Sequence, residues 1–138
     1  MQILQPEGWA KPKGYANGVA AEGRLVFVAG QIGWDEGCVF RTDDFAEQTR
    51  QALRNVVAVL AEAGAEPHHV TRLTWYIVDR AEYHAAARAV GEAYRAVMGR
   101  HYPPMSMVEV RALMEDRARV EIEATAVVPL PDAHGRGG

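Results

Sequence analysis

Two stretches near the end of the chain constrain its fold more than any other part. They are Met105-Ser106-Met107-Val108-Glu109-Val110-Arg111-Ala112 and residues 119–128. Both alternate residue by residue, the period of a strand whose two faces meet different surroundings. In the second, Val120, Ile122, Ala124, Ala126 and Val128 alternate with Arg119, Glu121, Glu123, Thr125 and Val127. In the first, Ser106, Val108, Val110 and Ala112 alternate with Met105, Met107, Glu109 and Arg111. One face of the sheet is therefore expected to be apolar. The other is expected to carry Glu109, Glu121 and Glu123 beside Arg111 and Arg119, with Met105 and Met107 among them.

Upstream, the pattern switches between periods. Residues 17–21 and 24–29 read as two short strands turning at Glu22-Gly23, after irregular backbone marked by Pro6, Gly8, Pro12 and Gly14. Asp44 and Glu47 form a capping-box-like pair before Phe45, Thr49, Ala52, Leu53, Val56, Leu60 and Ala63, which recur at helical spacing up to Gly64. Residues 70–78 are β-branched and aromatic, as in a strand. Asp79 and Glu82 then open a second helix, with an inner stripe of Tyr83, Ala86, Ala87, Val90, Tyr94 and Val97, ended by Gly99. The order is β-β-α-β-α-β-β, an α+β fold with one sheet and two helices on one of its faces. Methionines and an aromatic from Trp75-Tyr76, mixed with charges on the other face, suggest a subunit interface and hence a homo-oligomer.

With 138 residues, 49% of them hydrophobic, the chain suits one domain over residues 1–130 with a frayed tail at 131–138. Its net charge of −3 gives no broad attraction to nucleic acid, and none is expected as a partner. No apolar run reaches membrane-spanning length, and residues 1–6 lack a signal-peptide layout, so a cytoplasmic location is expected. Cys38 is the single cysteine and has no adjacent base. His68 and His69 precede a strand, so their rings should diverge, and no metal-ligand spacing occurs.

The chemical candidates each have a plain alternative. The carboxylates either hold a water as general base or form an ion-pair ladder with the arginines. Tyr15 either donates to a ligand or packs in its loop. Ala29-Gly30-Gln31 either presents backbone groups to a ligand or is a tight strand end. Trp34 and Trp75 either border a pocket or belong to the core.

Several segments in order resemble the Rid family of imine/enamine deaminases (YjgF-like proteins). They are Gly14-Tyr15 with Gly18-Val19, Val26-Phe27-Val28-Ala29-Gly30-Gln31-Ile32-Gly33, Gln48-Thr49-Arg50-Gln51-Ala52-Leu53-Arg54-Asn55-Val56, Leu60-Ala61-Glu62-Ala63-Gly64-Ala65, Val108-Glu109-Val110 and Val120-Glu121-Ile122-Glu123-Ala124. The resemblance implies a chorismate-mutase-like fold, a homotrimer with small-molecule sites between subunits, and neither metal nor organic cofactor. It implies that Glu121 positions the water that attacks an imine, that Tyr15 and Gly30 belong to the pocket, and that Met107 supplies a backbone contact. Met105 stands where deaminating members carry the arginine that holds the substrate carboxylate, and Gly91 where an asparagine is frequent. A thioether makes no charge-assisted bond, so the resemblance supports either a deaminase with a non-standard substrate, an aminomuconate-type one among the variants, or a trimer that binds a metabolite without turning it over. Arg111 lies six residues from Met105, about 20 Å along a strand, too far to replace the lost group. Only an arginine from another subunit or a loop is expected to do so. Ribonuclease activity, an older label for such proteins, is disfavoured by the acidic balance.

Overall fold

The computed structural model describes residues 1–131. Apart from Pro131, the expected tail and its His134 lie outside the described residues. The elements are β1 (Gln2–Leu4), β2 (Gly18–Ala20), β3 (Arg24–Ile32), α1 (Phe45–Glu62), β4 (Val70–Ile77), α2 (Arg80–Ala85), α3 (Ala87–Met98), β5 (Met105–Glu109) and β6 (Val120–Val128). A mixed sheet in the order β3-β6-β4-β5 carries α1 and α3 on one face. β6 runs antiparallel to both neighbours, and β5 runs parallel to β4 at the edge.

The α+β expectation holds, with four differences. First, the opening segment contributes β1, which pairs with β2. The expected hairpin of β2 with β3 does not form, and β3 instead pairs with β6. Second, the helix after Asp79 is in two pieces. The N–H of Ala86 donates to the carbonyls of both Glu82 and Tyr83, 3.1 Å each, which tightens the turn where α2 meets α3.

Third, β5 has the opposite phase. Leu73 pairs with Met105 and Trp75 with Met107, so both methionines lie on the helix-covered face and Ser106 and Val108 lie on the open one. The core claims the larger apolar side chains and leaves the serine outside. Met105, Met107 and Glu109 thus do not share a face with Glu121. Glu109 accepts the Arg80 N–H at 2.8 Å, Arg111 lies beyond the end of β5, and Arg119 pairs with Glu82 at 3.1 Å. Fourth, His68 and His69 fall in a 3-10 turn, Pro67–His69, which brings their ring centroids to 4.1 Å rather than apart.

The core is built from Leu53, Val56 and Leu60 of α1 against Leu73, Ile77, Val120 and Ile122 of the sheet, each almost fully buried. Asp44 caps α1 by accepting the Glu47 N–H at 3.0 Å, while the Glu47 carboxylate pairs with Arg50 instead of returning to the cap. Gly64, at φ 69°, closes the helix in the left-handed region. Gln48, buried on the first turns of α1, donates to the Thr42 and Arg117 carbonyls at 3.0 and 2.9 Å and accepts the Arg119 N–H at 2.9 Å. It ties the β5–β6 connection to the helix.

The 3-10 turn gives the fold a pH dependence. His69 Nδ1 accepts the Glu66 N–H at 2.9 Å, which requires an unprotonated nitrogen. Burial first, and then neighbouring His68, hold the pKa of His69 below its usual 6.5. The unfolded chain therefore takes up this proton before the folded one. The stabilisation is present above pH 6.5 and fades as the pH falls below it. Melting temperatures between pH 7.5 and 5.5 should fall less steeply in His69→Asn than in the parent chain.

Candidate active site

A cavity of about 670 Å3 opens between α3, β5 and the segment before β2. Trp75 forms part of its wall although the residue is almost fully buried. Its indole N–H has no acceptor among the described residues. Trp75 stacks on Tyr94 (6.4 Å between ring centroids), and Tyr94 stacks on Tyr102 (5.4 Å). Burial pushes the Tyr94 phenol well above its usual pKa, so it stays neutral. Met105 and Met107 line the cavity from β5. Tyr15 joins them because the N–H of Ala16 donates to the Pro103 carbonyl at 3.3 Å and Ala16 bridges Pro104. The site therefore has soft and aromatic walls with a polar rim, the usual make-up of a small-molecule pocket.

Gly30 and Glu121 form a second group on the open face. The register of β3 against β6 shifts between Val28 and Gln31, so Ala29-Gly30 bulges out of the ladder. The Glu121 carboxylate lies against Gly30. A β-carbon at position 30 would overlap Glu121 Oε2 and come within 2.7 Å of Cδ. Glycine here leaves room for this approach, which a larger residue would displace. On the same face the Tyr76 hydroxyl donates to Glu123 at 2.7 Å, which raises the pKa of the phenol. Glu123 is thereby engaged, whereas Glu121 makes no hydrogen bond or ion pair to another described residue. Of the two carboxylates, Glu121 is the one with neither oxygen bonded to another described residue.

Tyr15, Met105 and Met107 are thus brought together, and so are Gly30 and Glu121, but the sheet separates the two groups. Trp34 lies elsewhere, against Phe40 at 5.6 Å, and exposed Cys38 sits in the turn organised by Asp35. Sequence reasoning missed Tyr102, Lys13 and Arg95 as cavity residues and read Tyr83 and Tyr94 only as core. The concentration of aromatics between Trp75 and Tyr102 was the available signal.

No helix among the described residues is long and apolar enough to cross a membrane. A family profile described as Endoribonuclease L-PSP matches residues 9–128. A RutC family protein of Pyrococcus abyssi is 32% identical over 126 residues, covering 91% of this chain and 95% of its own. A 2-iminobutanoate/2-iminopropanoate deaminase of Salmonella typhimurium is 34% identical over 113 residues, covering 82% and 86%. Among solved structures, YyfB of the Rid family from Yersinia pestis superposes with a TM-score of 0.81 at 31% identity, over 92% of this chain and 98% of its own. Escherichia coli TdcF with bound serine superposes with a TM-score of 0.66 at 28% identity, over 93% and 99%. The profile and the relatives span nearly the whole domain, and the chain belongs to the YjgF/Rid family, whose curated relatives include imine deaminases.

Proposed function

We propose that this chain is a hydrolase of small imines or enamines that works as a homotrimer, each site being shared by two chains. One chain supplies the cavity with Tyr15, Met105 and Met107, and its neighbour supplies Gly30 and Glu121. The observation that carries this reading is the separation of the two groups by the sheet, so that one chain alone does not bring them into one site. The open face supports it with large exposed side chains, Phe27 at 72% and Leu25 at 58%, suited to burial against another copy.

In the reaction, Glu121 takes a proton from water as the oxygen attacks the imine carbon. The C=N bond becomes C–N, a proton reaches the nitrogen, and the carbinolamine collapses to a carbonyl and ammonia. Tyr15 orients or donates at the cavity rim. The Gly30 bulge offers backbone groups beside the carboxylate, and Met107 offers its strand backbone. The chemistry calls for neither metal nor organic cofactor. Met105 makes the wall apolar, which favours substrates carrying an apolar group over the smallest imines.

Mixing separately inactivated chains tests the shared site. Glu121→Gln and Tyr15→Ala are each expected to be inactive toward imines generated in place by an amino-acid oxidase. Random equal mixing of the two should restore about a quarter of the sites, because each interface then has even odds for each half. A mixture no more active than its parents rules out the shared site.

A second reading is supported by Met105 itself. Without a carboxylate fork at that position, the trimer binds a metabolite and does not turn it over. A rise in melting temperature with the ligand and no product would favour it. The cavity walls and the net charge of −3 give neither reading a nucleic-acid partner.

A further inference from the structure

The cavity lining contains two cations, Lys13 and Arg95, and no carboxylate. Arg95 lies in the last turn of α3, one turn beyond Gly91, so both residues face the same way. Long helical side chains lean toward the N-terminus of their helix. Arg95 does so, and its Nη1 lies 3.4 Å from where a Gly91 β-carbon would be. A β-carbon at 91 would touch the guanidinium, and a longer side chain there would compete with it for space. Five other arginines are ion-paired: Arg41 with Asp35, Arg50 with Glu47, Arg88 with Glu92, Arg117 with Asp43 and Arg119 with Glu82. No ion pair among the described residues includes Arg95.

We propose that Arg95, folded back over Gly91, is the carboxylate anchor of this cavity, and that its ligand is an α-imino or α-keto acid with an apolar or aromatic side chain. The imine part of that statement rests on the hydrolase reading above; the anchor does not. Arginine is suited to the role because its planar fork makes two charge-assisted bonds to one carboxylate. With the cation on the helix side, Met105 and Met107 are free to receive the ligand's side chain alongside Tyr15, Tyr83 and Tyr102. The changes at 91 and 105 are then one change, which moves the anchor from the edge strand to the helix and leaves an apolar wall behind. On this proposal the replacing arginine comes from a helix of the same chain, where the strand spacing pointed to a loop or another subunit.

Calorimetric binding of phenylpyruvate and of its methyl ester tests the anchor without requiring turnover. Arg95→Met should weaken phenylpyruvate binding by at least about 30-fold and leave the ester unchanged. Arg95→Lys should fall between, and Arg88→Met, on the same helix but outside the cavity lining, should change little. A role confined to the helix end would lower the melting temperature of Arg95→Met without separating acid from ester. Equal affinity of parent and Arg95→Met for phenylpyruvate overturns the proposal, as does a parent that binds no phenylpyruvate. If the acid is bound through Arg95 but the imine of phenylalanine releases no ammonia, the anchor stands and the hydrolase reading falls.

Discussion

Glu121→Gln should lower ammonia release by about 10²–10⁴-fold while leaving the melting temperature nearly unchanged. The glutamine has the same shape and can lie against Gly30 as the carboxylate does, so the bulge is retained. What it loses is basicity. An amide cannot take the proton that water must give up as it adds to the imine carbon. The fold has little at stake, because Glu121 makes no hydrogen bond or ion pair to another described residue. Glu123→Gln is the matched control. It alters a carboxylate on the same face whose partner is the Tyr76 hydroxyl, and turnover should be far less affected. Steady-state ammonia release with freshly generated imines separates the two. Undiminished turnover in Glu121→Gln would sink the assignment of the base.

Gln48→Leu should destabilise the fold by about 2–4 kcal/mol. The side chain is fully buried and holds three backbone groups, the carbonyls of Thr42 and Arg117 and the N–H of Arg119. Leucine fills similar space but leaves all three without their partner, and each group then carries its desolvation cost or drags its loop toward water. Gln48→Glu at neutral pH should be worse. It keeps an acceptor for Arg119 but sets a buried negative charge against two carbonyl oxygens. Urea titration gives the difference directly. A midpoint unmoved by Gln48→Leu would mean that the connection before β6 is held by other contacts.

Elements with strong one-sided patterns were legible in the sequence. α1 announces itself through Asp44, its stripe from Phe45 to Leu60, and Gly64. β6 does so through strict alternation against a buried face. The phase of β5 was not, because methionine and valine are both acceptable to a core, and the acidic residue Glu109 was taken as marking the wet face. The structure uses Glu109 to receive the first N–H of α2, a contact no strand period encodes. β1 was missed because its pairing with β2 joins segments across an irregular stretch. At the site, Tyr15 with Met105, and Gly30 with Glu121, fall together as neighbours in the fold. That these pairs lie on opposite faces followed only from the register of β4, β5 and β6. Arg95 escaped notice because its position reads as an ordinary basic helix end, and only the folded arrangement places its guanidinium beside Gly91 at the cavity.

The sheet between the cavity and Glu121 has a consequence for how such a protein diversifies. The cavity wall and the Glu121 carboxylate lie on opposite faces of the sheet in one chain, so each can drift without disturbing the other. A methionine for an arginine at 105 leaves the Gly30–Glu121 packing intact, since it faces the helices on the far side of β4 and β6. Two related chains with different cavities and the same open face would meet each other as readily as themselves. If the sites are shared between chains as proposed, mixed assemblies would hold several ligand preferences in one particle around a common open face.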